Sequence, residues 1–131
     1  MADPFRIGIA GLGTVGSGVV KILEQNAGMI AARAGRSIEI VAVSARDKNR
    51  KRGVDLSKYK WTEKPDDLLS EKLDAVIEVI GGSEGPAYDL VKGALGKGMD
   101  VVTANKALLA HHGFELAKLS EDNKANIRFE A

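Results

Sequence analysis

The stretch Ile7-Gly8-Ile9-Ala10-Gly11-Leu12-Gly13-Thr14-Val15-Gly16 decides the fold class of this 131-residue chain. Residues 7–10 form the short apolar run that is typical of a buried parallel strand. Residues 11–16 follow with the spacing G-x-G-x-x-G, and an amphipathic helical pattern begins at this turn. In that context the pattern indicates a strand–turn–helix unit whose helix N-terminus binds the diphosphate of a dinucleotide.

The three glycines of the turn have different physical tasks. Gly11 permits the tight turn, Gly13 lets a diphosphate approach the backbone, and Gly16 lets the helix pack close to the first strand. The alternative is a turn that uses its glycines only for a short connection. A phosphate-binding P-loop fits less well, because no Gly-Lys-Ser/Thr sequence follows. The predicted cofactor contacts in this turn are Gly11, Leu12, Gly13, Thr14, Val15 and Gly16.

Strand and helix patterns alternate along the rest of the chain. The predicted strands lie at residues 7–10, 38–43, 75–80, 101–103 and from 127 onward. The predicted helices lie at about residues 15–30, at 65–69, from 86 to near 96 or 98, and within 107–123. This alternation predicts an α/β domain over residues 1–131, of the Rossmann type, with a doubly wound, mostly parallel sheet and helices on both faces.

Two of the predicted helices carry an apolar stripe that would face the sheet. The stripe of the first helix consists of Val15, Val19, Ile22 and Leu23, and the stripe of the helix after Pro86 consists of Ala87, Leu90, Val91, Ala94 and Leu95. Trp61 is predicted to pack over the edge of the sheet.

Composition excludes several classes of function. Nineteen basic and eighteen acidic residues give a formal net charge of +1, so no strong field directs the chain to nucleic acid or to a membrane. The absence of cysteine excludes disulfides and thiolate chemistry. No apolar run reaches the length of a membrane span, and the N-terminus leaves no room for a signal peptide, so a cytoplasmic protein is predicted. Because a strand begins just before Ala131, we also expect a C-terminal substrate domain that this sequence lacks.

The end of the second strand indicates the choice of nucleotide. An acid at this point accepts from a ribose hydroxyl in NAD enzymes, whereas a nearby arginine binds the 2′-phosphate of NADP. Here Ser44 takes the position of the acid and Arg46 follows, so NADP is preferred, while Asp47 keeps NAD open. Four more basic residues offer a phosphate charge-assisted partners, but a solvated loop is the favoured interpretation of them, and a nucleic-acid site is not predicted. They are Lys48, Arg50, Lys51 and Arg52.

Three segments together resemble the homoserine dehydrogenase family. They are residues 11–16 (GLGTVG), 76–82 (VIEVIGG) and 101–109 (VVTANKALL), of which the third is the most specific. The resemblance runs over essentially the whole chain. It implies reduction of L-aspartate 4-semialdehyde to L-homoserine with NADPH or NADH, on the route to threonine, methionine and isoleucine.

The resemblance also implies roles for individual residues. It places residues 12–15 at the cofactor diphosphate and Arg46 at the adenosine ribose or its phosphate. Gly81 and Gly82 would lie beside the ribose toward the nicotinamide, and residues 103–106, among them Thr103 and Asn105, would reach the reaction site. The family's substrate-binding acids and a second lysine belong to the domain that this sequence lacks, through which the full-length protein is expected to form a homo-oligomer.

Lys106 is the candidate catalytic residue. It lies just past the carboxyl end of a predicted parallel strand, where open α/β sheets bind their ligands. Hydride transfer to an aldehyde leaves negative charge on the oxygen, and a nearby ammonium can stabilise that charge and donate a proton. A surface lysine at a helix start is the alternative reading, and Asn105 fits either a ligand contact or a helix cap.

Other residues and other functions stay open in the sequence. His111 and His112 are interpreted as surface or packing residues, and no metal site is predicted. Glu78 falls inside a buried strand pattern with no assigned partner or task. A stand-alone nucleotide-binding redox sensor or regulatory module, or another Rossmann dehydrogenase of amino-acid metabolism, would carry the same nucleotide-binding pattern.

Overall fold

The computed structural model describes residues 3–48 and 52–129 and shows six parallel strands with helices between them. The strands are β1 (Phe5–Ala10), β2 (Ile38–Ser44), β3 (Lys60–Thr62), β4 (Ala75–Glu78), β5 (Asp100–Thr103) and β6 (Ile127–Phe129). The α-helices are α1 (Thr14–Gln25), α2 (Ala27–Ala34), α3 (Pro86–Gly96) and α4 (Lys106–Asp122), and a short 3-10 helix covers Pro65–Ser70. None of the helices in these ranges is long and apolar enough to cross a membrane.

The strand order β3-β2-β1-β4-β5-β6 confirms the predicted doubly wound sheet. The chain builds outward from β1 to β3 and then returns to β4 on the other side of β1, so the order reverses between β1 and β4. The register aligns the last residues of the central strands, because Ala10 pairs with both Ser44 and Glu78, and Glu78 pairs with Thr103. The segments that follow these strands therefore emerge at one edge of the sheet.

Two apolar clusters cover the two faces of the sheet. All five members of the predicted α3 stripe are fully buried, and one cluster contains four of them, Leu90, Val91, Ala94 and Leu95, together with Leu108 and Leu116 of α4. The other contains Val20 of α1 with strand residues such as Ile9 and Val43. Each fully buried aliphatic side chain contributes about 1.5–3 kcal/mol, so the clusters fix the helices on the sheet.

The predicted stripe of the first helix is wrong in two of its members. Val15 and Ile22 are 60% and 58% exposed, whereas Ser17 and Val20 face the sheet. The helix approaches β1 through small residues near its start, and this close approach rotates the buried face away from the two predicted positions. The pattern also spans two helices, which meet at Asn26.

The sequence did not reveal strand β3, and it placed the end of β4 too late. Strand β3 is short and pairs with residues 42–44 of β2, with Trp61 beside Val43. Trp61 packs against an apolar cluster at the sheet edge, as predicted, but it does so as a member of this unpredicted strand. Strand β4 stops at Glu78 and not at Ile80, because the Glu78 carboxylate accepts the backbone N–H of Ile80 and bends the chain into a turn. Arg50 and Lys51 of the predicted basic loop lie outside the described residues.

Candidate functional site

The N-terminus of α1 presents open hydrogen-bond donors at the end of β1. An α-helix leaves the N–H groups of its first turn without intrahelical partners. Gly13 is the N-cap residue, no described side chain caps the helix there, and the first turn contains no acidic residue. The hydroxyl of Ser17 donates instead to the Leu12 carbonyl at 2.9 Å, which fixes the turn. These donors and the positive end of the helix dipole together suit an anionic group.

Each glycine of the turn meets a different environment. At Gly11, where φ is +97°, an added Cβ would lie 2.7 Å from the Val79 carbonyl oxygen. At Gly16, it would lie 1.8 Å from the Gly11 carbonyl oxygen, so only glycine allows the helix to approach the strand end. At Gly13, an added Cβ would meet no atom of the described residues within 4 Å. The fold itself therefore requires Gly11 and Gly16, while the space at Gly13 is available to a ligand.

A cavity of about 530 Å³ lies at the point where the strand order reverses. Its walls come from Ser44 at the end of β2 and from the segments that follow β1, β2, β3 and β4. The lining residues are Gly11, Leu12, Gly13, Ser44, Ala45, Arg46, Asp47, Arg52, Glu63, Pro65, Val79, Ile80 and Pro86. Open α/β sheets bind their ligands in this crevice, so the turn and Arg46 are brought together as the sequence predicts.

Ser44 supplies an unusual polar group to this cavity. It is the last residue of β2 and only 1% exposed, and its hydroxyl has no hydrogen-bond partner among the described residues. A buried hydroxyl without a partner costs free energy, so a group that binds here would gain a ready contact. Together with the room at Gly13, this hydroxyl fits a dinucleotide with its ribose at the end of β2.

A second cavity, of about 320 Å³, adjoins the same turn. It is lined by Leu12, Gly13, Thr14, Ser17, Gly18, Lys21 and Arg52. Arg52 lines both cavities and is half-buried, with its guanidinium carbon 5.1 Å from the centre of the Trp61 ring. The interpretation of Arg52 as part of a solvated loop is therefore wrong, whereas Lys48 is exposed as expected.

The segment after Arg52 is tied to helix α1 through Glu24. The Glu24 carboxylate accepts the Tyr59 hydroxyl and lies 3.0 Å from the Lys58 ammonium. These contacts hold the pKa of Glu24 below its usual range, the tyrosine contributing most. Burial, and secondly the same hydrogen bond, raise the pKa of Tyr59. The tether fixes the segment that follows Arg52 on α1.

A buried carboxylate connects the loops on the other side of the crevice. Glu78 is fully buried, and one of its oxygens accepts the N–H groups of Ile80 at 2.8 Å and Gly81 at 3.1 Å. Its other oxygen accepts the Thr103 hydroxyl at 2.5 Å. The acid that had no assigned partner in the sequence thus joins the end of β4 to the end of β5.

Asn105 continues this network to the start of α4. Its backbone N–H donates to the Thr103 hydroxyl oxygen at 3.0 Å, and its side-chain amide donates to the Gly82 carbonyl at 2.5 Å. Its side-chain oxygen accepts the N–H of Leu108 and caps the helix. The network therefore holds Glu78 together with four predicted site residues, which are Gly81, Gly82, Thr103 and Asn105. The side chains of Thr103 and Asn105 are engaged in hydrogen bonds to protein groups.

Comparison with known proteins identifies the family. Residues 11–130 match the family model "Homoserine dehydrogenase, NAD binding domain". The chain belongs to this family. It is 43% identical over 129 residues to homoserine dehydrogenase of Pseudomonas aeruginosa, covering 98% of this chain and 29% of that protein. The Bacillus subtilis protein is 43% identical over 127 residues, covering 96% of this chain and again 29% of its own length.

Solved homoserine dehydrogenase structures share the fold. The crystal structure of the Staphylococcus aureus enzyme at pH 7.0 superimposes with a TM-score of 0.89 at 42% identity, covering 98% of this chain and 33% of that one. A hyperthermophilic archaeal homoserine dehydrogenase in complex with NADPH gives a TM-score of 0.76 at 27% identity, covering 98% and 44%. The predicted family and fold are confirmed, and the chain spans about 29% of the length of the curated relatives above.

Lys106 lies apart from both cavities. It is the first residue of α4, directly after the cap residue Asn105, and its side chain is exposed. Neither cavity is lined by Lys106, Thr103 or Asn105. Within this domain of the homoserine dehydrogenase family, the Glu78 network fixes the backbone that carries Lys106 and leaves its ammonium at the surface.

His112 has acidic neighbours that the sequence analysis overlooked. Its Nε2 lies 2.7 Å from Glu84 and its Nδ1 lies 3.5 Å from Glu115, while its ring packs 4.3 Å from that of Tyr88. The spacing of three residues between His112 and Glu115 on one helix was a readable signal. Within residues 3–48 and 52–129, no group of three or more histidine and acidic side chains is arranged to hold a metal ion.

Lys21 and Glu63 are charged cavity residues that sequence reasoning missed. Lys21 lies one helical turn beyond Ser17 on α1, and Glu63 follows the undetected strand β3. Helical spacing places Lys21 on the same side as the glycine turn, so its position was accessible from the pattern. The position of Glu63 was not accessible from the pattern, because it depends on where β3 joins the sheet.

Proposed function

We propose that this chain is the nucleotide-binding domain, residues 1–131, of a homoserine dehydrogenase that reduces L-aspartate 4-semialdehyde to L-homoserine. The observation that carries the proposal is the start of α1, which no described side chain caps, beside the space that the described residues leave at Gly13, in the crevice where the strand order reverses. The match covers only 29% of the length of each curated relative, and this supports a further domain that binds the semialdehyde. The proposal includes a cytoplasmic location and self-association through that further domain.

The residues of this chain would bind and orient the cofactor. The N–H groups at residues 13–16 would hold the diphosphate, and Gly81 and Gly82 would line the ribose toward the nicotinamide. The cofactor, when bound, supplies the hydride. The ammonium of Lys106 would stabilise the charge that develops on the aldehyde oxygen and donate a proton to it. The buried Glu78 network would hold these loops in one arrangement.

NADPH is the preferred cofactor in this proposal, with NADH as the alternative. The end of β2 offers a hydroxyl at Ser44 and a guanidinium at Arg46, which suit a 2′-phosphate better than a carboxylate would. The archaeal relative in complex with NADPH supports the same preference. Asp47 also lines the cavity and offers the oxygen that a ribose hydroxyl would need in NADH.

Gly13→Ala should weaken dinucleotide binding without affecting the fold. The added methyl group meets no atom within 4 Å in the part of the chain that the structure describes, and φ at Gly13 is −73°, which alanine adopts readily. The methyl group would instead occupy the space of the diphosphate, so we expect NADPH affinity to fall about tenfold or more, a loss of about 1.4 kcal/mol. Fluorescence titration with NADPH and NADH would measure the affinity, and thermal unfolding would confirm the fold.

Two other glycines serve as controls for this experiment. Gly28→Ala also adds a methyl group in open space, but within α2, and should leave NADPH affinity unchanged. Gly16→Ala should lower thermal stability, because its Cβ would overlap the Gly11 carbonyl. Undiminished NADPH affinity in Gly13→Ala, or no detectable affinity for either nucleotide in the unmodified folded chain, would refute the proposed site.

A further inference from the structure

We infer that Arg52, held against the ring of Trp61, acts with Arg46 as a second guanidinium that binds the 2′-phosphate of NADPH. The inference deepens the proposed function and rests on it. It makes Arg52 a residue that determines the choice between NADPH and NADH, although the sequence favoured a solvated loop over a phosphate contact for Arg52.

The first support is the position of Arg52 between the two cavities. Among the described residues that line the larger and the smaller cavity, Leu12, Gly13 and Arg52 are shared by both. The Arg52 side chain therefore lies where the glycine turn meets the end of β2. A dinucleotide with its diphosphate at the turn and its adenosine ribose at β2 would bring a 2′-phosphate into this region.

The second support is the way in which Arg52 is oriented. Its guanidinium lies 5.1 Å from the centre of the Trp61 ring, and Trp61 is fixed in strand β3 beside Val43. The face of a guanidinium stacks on an aromatic ring, while its N–H groups lie in its plane and match the oxygens of a phosphate. The Glu24 tether to Lys58 and Tyr59 holds the segment that follows. Arg52 is thus oriented before any ligand binds, which lowers the entropic cost of binding.

The third support is the charge around the crevice. Within residues 3–48 and 52–129, the two cavities are lined by three cations, Lys21, Arg46 and Arg52, and by the two carboxylates of Asp47 and Glu63. At the end of β2, the buried Ser44 hydroxyl stands where a carboxylate would repel a phosphate, and it has no partner among the described residues. A hydroxyl can donate to a phosphate oxygen, so the local chemistry favours the phosphorylated ribose.

The test is a titration of the Arg52→Gln variant with NADPH and with NADH. We expect NADPH affinity to fall about tenfold, the size of one charge-assisted hydrogen bond, while NADH affinity stays within about twofold. Arg52→Lys keeps the charge but loses the planar fork, so it should give an intermediate loss for NADPH only. Circular dichroism and thermal unfolding would establish that both variants fold.

Lys48→Gln is the matched control. It removes the same charge from the same loop, but Lys48 is exposed and lines neither cavity, so NADPH affinity should be unchanged. The inference is overturned if Lys48→Gln lowers NADPH affinity as much as Arg52→Gln does, since the loss would then come from the general electrostatic field of the loop. It is also overturned if Arg52→Gln lowers the affinities for NADPH and NADH equally, or lowers neither of them. Failure of the unmodified folded chain to bind any dinucleotide would reject the proposed function itself.

Discussion

Lys106→Ala should lower the turnover of the whole protein by about 10²–10⁴-fold, the usual contribution of a proton donor or a charge-stabilising group at the reacting oxygen. NADPH affinity should change little, because Lys106 lies apart from the two cavities that the nucleotide would occupy. Steady-state kinetics with aspartate semialdehyde, together with an NADPH titration, would measure the two effects separately. The loss should appear in kcat and kcat/KM alike, as it does when an interaction is made in the transition state.

Lys118→Ala provides the control for Lys106 on the same helix. Lys118 is exposed and lies 4.0 Å from Asp122, so its removal deletes one surface ion pair of small energetic value. Turnover of this variant should equal that of the unmodified protein. If Lys106→Ala keeps near-normal turnover, Lys106 is a surface lysine at a helix start, and another group protonates the product.

Glu78→Ala should destabilise the domain by about 3–5 kcal/mol, because several buried donors would lose their acceptor at once. The carboxylate accepts two backbone N–H groups, from Ile80 and Gly81, and the Thr103 hydroxyl, and the shorter side chain leaves a cavity in their place. Urea denaturation would measure the change in the free energy of unfolding. Under conditions where the variant is folded, NADPH affinity should also fall, since the turn that carries Gly81 and Gly82 loses its anchor.

Glu39→Ala is the comparison for Glu78 in the sheet. Glu39 lies in β2, and its carboxylate lies 3.3 Å from Arg6 at the surface, with 48% of the side chain exposed. Removal of this ion pair should cost about 1 kcal/mol or less. Equal urea midpoints for the two variants would mean that the Glu78 hydrogen bonds contribute no more than a surface pair, and the network would then not hold the loops.

The glycine turn shows how far local sequence reasoning reaches. The order of a short apolar run, three spaced glycines and a helical pattern was sufficient to predict β1, the turn and α1. The same held for α3, whose predicted stripe is fully buried. These features depend on side-chain periodicity and on backbone sterics within a few residues, which the sequence displays directly.

Burial on α1 and the existence of β3 needed tertiary information. Two predicted core residues, Val15 and Ile22, are exposed, because Gly16 brings the helix against the end of β1 and rotates its buried face. Strand β3 has three residues and exists through its pairing with β2. No local pattern of three residues, one of them apolar, specifies such a pairing.

The sequence by itself determined the strand–turn–helix unit, the alternation of elements and the membership of the chain in its family, because each rests on neighbouring residues. Only the tertiary structure decided what Glu78 and Arg52 do. Glu78 contacts Thr103, 25 positions away, and Arg52 stacks on Trp61 across the loop that leads to β3. The first contact arises because parallel strands align their carboxyl ends, and the second arises because the pairing of β3 with β2 fixes Trp61 at the edge of the sheet. The separation of these residues along the chain gives no sign of either contact.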